Sequence, residues 1–421
     1  MSFKTLSVFI GGVKAGTLSE GDSGRLSFRY LPDYEGVPLS LSMPIGVAAY
    51  PDAKVRPYLM GLLPDEPTVR RDTARRYGVS GDNPFALLSH VGLECPGAVQ
   101  VVSESDEGLL SKTDTLVPVS RTDIARRLSA LNDSYEASWT MKSEHWSLGG
   151  AQGKIALRLV DGKWFRCEGS AATTHILKPG IVGLRGQALN EFACMRLASR
   201  VGLPAADVRF EVFEGEPAIV VKRFDRVLSN GDVLRLHQED LCQALSVLPS
   251  QKYASDGGPS AVDVMHLLEG TQRAGENVRL FVAYLFFNYL VGGSDAHAKN
   301  YSIVFGADGD ARLAPLYDVA SIFPYMESDR DTRRMAMSIG GENRFGKVGL
   351  GAIDRMANAG GLDGRACAEL MRRLAELVLA ELDWLEEQLV PLPQGEELSS
   401  RLLPRIRDNA ELTLTKLKKA R

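Results

Sequence analysis

Asp295 and Asn300 stand in the run SDAHAKN with the spacing D-x-x-x-x-N. In the catalytic loop of protein kinases that spacing lets the aspartate orient and deprotonate an attacking hydroxyl while the asparagine holds a metal ion on the nucleotide phosphates. Aspartate and asparagine also cap helices and make turns, so the spacing alone admits both readings. A second carboxylate, Asp318 in PLYDVAS, supplies the further oxygen that Mg2+ needs, because this ion takes a few carboxylate or amide oxygens and fills its other positions with phosphate and water. The competing role for Asp318 is an N-cap for a helix starting at Val319. Upstream, Lys178 ends the apolar strand HILK, from which an ammonium can reach α- and β-phosphates. Glu191, on a helix starting near Asn190, either pairs with such a lysine or faces water. Strand lysine, helix glutamate, catalytic aspartate, asparagine and metal aspartate thus occur in the order of a phosphoryl-transfer site. Glycines at 149, 150 and 153 in SLGGAQGK let backbone N–H groups approach phosphates, although the run is neither a Walker A loop nor G-x-G-x-x-G and also suits a plain turn.

Such residues need rigid elements to hold them. The cluster at 295–300 follows residues 281–291, apolar almost without interruption, which predicts a buried helix and a tightly anchored loop at its end. The lysine and the glycine run belong to a stretch from about 145 to 230 that alternates strands (KIALRLV, KWFRC, THILKP, VRFEVF, AIVVKRF) with one helix over 189–197. Asp161-Gly162 marks a hairpin turn between the first two strands. Before this sheet lie the strand signals LSVFI, VKAGTL and RLSFRY, helical patterns at 56–64, 69–77 and from Pro84, and a strand AVQVV. The polar, acidic run 105–118 reads as a connection. After Gln238 the pattern is mainly helical, near 239–247, 261–272 and 277–291, with a short hairpin at 301–316 and one long amphipathic helix over 364–389.

Composition narrows the class. A chain of 421 residues suffices for two or three domains, and a formal charge of -4 gives no footprint for nucleic acid over the whole chain. The basic tail 416–421 reads as a solvated end. Five cysteines without a C-x-x-C indicate neither a disulfide framework nor a zinc knuckle, which fits a reducing cytosol. No run is apolar enough for a membrane span, and the start reads as a strand, too short for a signal peptide, so the expected location is cytoplasmic.

Taken together, Ser147 with GAQGK (150–154), HILKP (175–179), NEF (190–192), VKRFDR (221–226), HQEDLCQAL (237–245), SDAHAKNYSI (294–303) and YDVAS (317–321) resemble the HipA family of bacterial serine/threonine kinases, the toxins of type II toxin–antitoxin pairs. GLLPDE (61–66) and CPGAV (95–99) extend the resemblance over nearly the whole chain. It implies an α+β, two-lobed fold in three parts: a β-rich N-terminal subdomain with helices over 1–110, the kinase sheet and hinge over 111–235, and a helical lobe over 236–421, with ATP bound between the lobes. It implies Asp295 as catalytic base, Lys178 on the phosphates, and Asn300 and Asp318 as ligands of Mg2+. Ala151, Gln152, Gly153 and Lys154 would form the nucleotide loop, Lys222, Arg223 and Phe224 the hinge that meets adenine through main-chain groups, and Gln238 a further nucleotide neighbour. His297 has no second histidine near it in sequence to build a zinc site and reads as bonding within its loop. Lys299 either neutralises the transferring phosphate or faces water. Both are counted with the nucleotide-binding set. Ser147 matches the family's autophosphorylated serine, whose added charge disfavours ATP on a phosphate-cradling loop.

Three positions depart from the family's pattern. Gly-Gly-Ser precedes Asp295 where asparagine and threonine are usual, Ala296 replaces a glycine, and Lys222 stands where the hinge often starts with glutamate. The expected function is an ATP- and Mg2+-dependent protein serine/threonine kinase that inhibits growth by modifying a translation component such as an aminoacyl-tRNA synthetase. Its expected partner is a HipB-like helix-turn-helix antitoxin, through which operator DNA is bound. The alternatives are a catalytically silent co-repressor, against which the complete set Lys178, Asp295, Asn300 and Asp318 speaks, and a small-molecule phosphotransferase, against which Ser147 and the full N-terminal part speak.

Overall fold

The computed structural model describes residues 4–110, 115–133, 147–229, 231–326 and 334–418. Residues 111–114 of the expected connection and 419–421 of the basic tail lie outside them. The chain has a mixed α+β fold and forms two compact units: residues 1–179, 211–250 and 302–312 in the first, and 180–210, 251–301 and 313–421 in the second.

The first unit carries the sheets. Tyr50–Pro51, Leu26–Tyr30, Val13–Glu20, Lys4–Ile10 and Val99–Val102 form an antiparallel five-stranded sheet in that spatial order. Its inward residues, among them Leu6, Val8, Leu18, Leu26 and Phe28, share a core with Tyr58, Leu59 and Leu88 of the helices Asp52–Gly61 and Pro84–Val91 and with Leu62 just after the first. A six-stranded sheet follows, in the order Val208–Phe213, Glu216–Lys222, His175–Lys178, Ile155–Val160, Lys163–Glu168, Thr115–Val119. Asp161 and Gly162, both at positive φ, close its predicted hairpin, as a tight primed turn requires. The expected connection at 105–118 is corrected here. Thr115–Val119 is a strand paired with Lys163–Glu168, hard to recognise because it is an edge, only half-buried and interrupted by Pro118. The helix Arg121–Asp133, not expected from the residue pattern, packs Ile124 and Leu128 against Leu157, Trp164 and Val220 of this sheet.

The second unit is mainly helical. Ala274–Val291 is buried nearly all round, as its composition predicts. The long helix expected over 364–389 is two, Gly364–Ala380 and Leu382–Leu389, broken at Glu381, whose backbone leaves the helical region (φ -103, ψ 4) while its carboxylate takes the Nε–H of Arg200 at 2.7 Å. Back in the first unit, the helix expected at 239–247 shortens to Leu241–Leu245, because residues 238–240 pair as a strand with Ser302–Phe305 and Asp240 caps the helix that follows. A terminal helix, Gly395–Lys418, buries Leu398, Leu402, Ile406 and Ala410 at four-residue spacing. Pro404 obscures that pattern in the sequence.

Candidate functional site

In the second unit, the loop after Ala274–Val291 is pinned at both ends. The Gly293 N–H donates to the Asn288 carbonyl at 2.7 Å, and the Asn288 amide donates to the hydroxyl of Tyr301, where the loop ends, at 3.2 Å. The Asp295 carbonyl gathers the interior, accepting from the His297 N–H and from the Asn300 amide, both at 2.8 Å. With its main chain so engaged, Asp295 turns its carboxylate outward, 64 % exposed. Its Oδ1 accepts a hydrogen bond from the Tyr253 hydroxyl at 2.7 Å and lies 3.9 Å from Nε2 of the buried His297. Asn300 has spent its amide nitrogen on Asp295, which leaves its amide oxygen, a hard donor, for a cation.

Asp318 sits at φ 60, the left-handed region that few non-glycine residues occupy. No helix begins at Val319, so the N-cap role is overturned, and the next helical turn is the short Phe323–Tyr325. The strained backbone is held from both sides. The Leu316 N–H donates to the Pro204 carbonyl at 2.8 Å, and the Asn190 side chain bonds both the carbonyl and the N–H of Ser321 at 2.6 and 3.1 Å. In addition, the Tyr317 hydroxyl donates to the Lys299 carbonyl at 2.8 Å, tying this segment to the loop that carries Asp295 and Asn300. Exposed Asp318 is thus presented by a tightly bound segment, and strain of this kind concentrates at functional sites. Lys299 and Glu191 are both buried, the latter 1 % exposed, so neither faces water as one reading of each allowed.

The first unit holds the other predicted residues. Lys178, 7 % exposed, closes its strand opposite Ile219. In the glycine run, Nζ of buried Lys154 donates to the Gly149 carbonyl at 2.5 Å and the Asp65 N–H donates to the Gly150 carbonyl at 2.9 Å, so the loop is folded onto protein groups, with Ala151 exposed and Gln152 and Gly153 half-buried. Ser147 is 2 % exposed; its hydroxyl donates to the Leu62 carbonyl at 2.7 Å and its N–H to the Glu94 carbonyl at 2.8 Å. Lys222 is exposed and Phe224 half-buried. Arg223 is largely committed to protein groups, with its N–H on the Thr174 carbonyl and its guanidinium buried against Glu94 and Asp225. Its carbonyl accepts the Arg226 N–H at 3.4 Å, so of its main-chain groups only a second lone pair on that oxygen can meet an adenine. The amide oxygen of Gln238 is buried and has no hydrogen-bond partner among the described residues.

That guanidinium belongs to a cluster invisible in the spacing of the sequence. Glu94 meets Arg223 and Arg226 at 3.0 Å and Arg235 at 2.9 Å, and Asp225 meets Arg223 and Arg226 at 2.8 and 2.9 Å. Burial alone would raise the Glu94 pKa, but the guanidiniums of Arg226, Arg235 and Arg223 outweigh it and hold the carboxyl at about 2. Asp225 is held below the usual carboxylate range by Arg223 and Arg226, against its own burial. The Gly97 N–H donates to Asp225 at 2.7 Å, and a Cβ on Gly97 would run into the backbone of Gln238, so only glycine lets the turn 95–99 lie this close. The sequence showed CPGAV and FDR as motifs but not that their charges meet. Tyr253 was missed outright, since it lies 42 residues from Asp295 in a run of no distinctive pattern.

Among the described residues no group of three or more His, Cys, Asp or Glu is placed to hold an ion. The oxygens of Asn300 and Asp318 fit Mg2+ instead, which readily takes two protein ligands and completes its shell with phosphate and water.

Comparison with known proteins identifies the family. Residues 146–382 match the model of the HipA-like C-terminal domain and residues 6–102 that of the HipA N-terminal domain. A Sinorhizobium fredii protein named "Putative kinase Y4mE" is 38% identical over 349 residues, covering 81% of this chain and 82% of its own. The serine/threonine-protein kinase toxin HipA of Shewanella oneidensis is 31% identical over 362 residues, 80% of this chain and 79% of that one. Among solved structures, a chain from the Shewanella oneidensis MR-1 complex of HipA, HipB and operator DNA superposes with a TM-score of 0.85 at 26% identity, covering 98% of both chains.

Proposed function

The chain belongs to the HipA family of kinases, and from that premise we propose that it is an ATP- and Mg2+-dependent protein serine/threonine kinase acting as the toxin of a toxin–antitoxin pair. The observation that carries this reading is the loop in which the main chain of Asp295 is locked by Asn300 and His297 while its carboxylate is left 64 % exposed. A base for an incoming hydroxyl needs that combination of fixed position and open access.

In this reading Asp295 accepts the proton of the acceptor hydroxyl as its oxygen attacks the γ-phosphorus and ADP leaves. Bound to the oxygens of Asn300 and Asp318, Mg2+ would neutralise charge on the transferring phosphate. Lys178 and the glycine run 150–154 bind phosphates, and Lys222, Phe224 and the carbonyl of Arg223 receive the adenine. The partnerless amide oxygen of Gln238 supports a place for it beside the nucleotide, where it can accept a hydrogen bond. His297 and Lys299 line the same loop from its buried side.

Ser147 serves as the autophosphorylation site. Its hydroxyl is buried against a carbonyl oxygen, where a phosphate carrying nearly two negative charges has no place, so modification must draw the segment out and take the glycine run with it. Growth inhibition would follow from phosphorylation of a translation component such as an aminoacyl-tRNA synthetase in the cytoplasm. A HipB-like antitoxin and, through it, operator DNA are the partners, a proposal supported by the structural relative that was solved with both. The N-terminal subdomain, the kinase sheet and the helical lobe divide near 110 and 235 in this scheme.

The test is intact-mass and peptide mass spectrometry before and after Mg-ATP, on the wild type and on Asp295→Asn. We expect one added phosphate at Ser147 in the wild type and none in the variant. Equal phosphate in both would remove Asp295 from the mechanism. A wild type that starts unmodified, binds nucleotide and gains no phosphate would favour the silent co-repressor or the small-molecule phosphotransferase.

A further inference from the structure

The Tyr253 hydroxyl donates to Oδ1 of Asp295 at 2.7 Å. The segment that carries it is wound around its own main chain. The Tyr253 carbonyl accepts the N–H groups of Asp256 and Gly258 at 3.0 and 2.9 Å, and a Cβ on Gly258 would collide with the Gln251 carbonyl. That close approach fixes where the tyrosine leaves the backbone. Its ring is braced in turn, edge-on to the imidazole of His297 with centroids 4.9 Å apart and planes at 77°, and with the Lys252 ammonium 5.5 Å from its centroid. The phenol is therefore a rigid post rather than a wandering surface group.

Two roles fit a phenol on a base. It could cover the carboxylate until an acceptor displaces it, or it could grip one oxygen so that the other faces the acceptor. Exposure decides between them: with Tyr253 in place the Asp295 side chain is still 64 % exposed, whereas a covered base would be shielded. The loop's main-chain bonds fix the Asp295 backbone but leave its carboxylate free to rotate, and a charge-assisted hydrogen bond from a braced donor removes that freedom. We propose that Tyr253 is a positioning residue that aligns the Asp295 carboxylate for proton removal from the acceptor hydroxyl. This rests on the kinase reading given above. Tyr253 itself exchanges no proton with the acceptor.

The experiment follows phosphate incorporation by intact mass in phosphatase-treated full-length protein, over a titration of Mg-ATP, for the wild type, Tyr253→Phe and Asp295→Asn. Losing a hydrogen bond to a charged group should lower the maximal rate of Tyr253→Phe by about ten- to a hundred-fold. The ATP concentration giving half that rate and the melting temperature should not move. A purely structural tyrosine would shift both. Replacing Tyr253 by 3-fluorotyrosine, which keeps the donor, must retain the wild-type rate. If the wild type transfers phosphate through Asp295 and Tyr253→Phe matches it, the inference fails and the kinase reading stands; a faster variant would make the phenol a cover and also overturn it. If Asp295→Asn transfers as fast as the wild type, the kinase reading fails first and the alignment falls with it.

Discussion

The first unit buries Glu94 and Asp225 among arginines, and the second leaves Asp295 and Asp318 open to water. Glu94 and Asp225 are surrounded by guanidinium and backbone N–H groups, with the Thr173 hydroxyl also on Glu94, so their charge is spent on holding the turn 95–99, the strand end at 222 and the ribbon 226–235 together. Asp295 and Asp318 stand exposed, Asp295 with its carboxylate on the Tyr253 hydroxyl and 3.9 Å from Nε2 of His297. They are placed instead by neutral hydrogen bonds to the backbone around them. A carboxylate that must take a proton or a cation has to be open to it, and a buried one stays ionised only if it is paired. The difference separates holding from reacting, using one residue type.

Asp318→Asn tests the open side most sharply. Asparagine tolerates the left-handed backbone nearly as well as aspartate, so the fold should survive while the cation ligand loses its charge. Phosphoryl transfer should fall on the order of a thousand-fold with an unchanged melting temperature. If the variant instead unfolds, the strained aspartate serves the fold and its likeness to Asp295 ends.

Glu94→Gln tests the closed side. Removing one partner from a buried network leaves guanidiniums uncompensated and should cost about 3–5 kcal/mol in denaturant unfolding. The pH dependence has a definite sign. A folded-state value near 2 lies below the unfolded value near 4.5, so this stabilisation is complete above about pH 4.5 and is lost as pH falls toward 2. The variant should lack that part of the acid slope. Equal stability of both proteins would mean the ions hold nothing that packing does not.

The open side was largely legible from sequence because its logic is local. Asp295, His297, Lys299 and Asn300 share one short loop, and the apolar run before it announced the buried helix that anchors it. Asp318 was reached by order along the chain, although nothing in YDVAS foretold its left-handed backbone. The closed side was not legible, since Glu94 and Arg226 are 132 positions apart and a charged residue in sequence looks solvated until tertiary contacts bury it. Tyr253 escaped for the same reason. Among elements, strong alternation and apolar runs were found, whereas the half-buried edge strand Thr115–Val119 and the proline-interrupted helix Gly395–Lys418 were not.

Glu239 supplies a third case that isolates the arginines. It lies in the same unit as Glu94 and is as deeply buried, yet it faces no cation: Oε1 accepts the Leu41 N–H at 2.7 Å and Oε2 has no hydrogen-bond partner among the described residues. Burial therefore wins and pushes its carboxyl up to about 8. Between an unfolded value near 4.5 and that folded value the native protein keeps a proton that the unfolded chain has released. Stability must therefore fall as pH rises through this window, by at most about 1.4 kcal/mol per unit. Glu239→Gln keeps an oxygen for Leu41 and cannot ionise, so its melting temperature should match the wild type near pH 5 and exceed it by pH 8. Parallel curves for the two proteins would show that Glu239 reaches water or a cation, and that the contrast with Glu94 rests on something other than the guanidiniums.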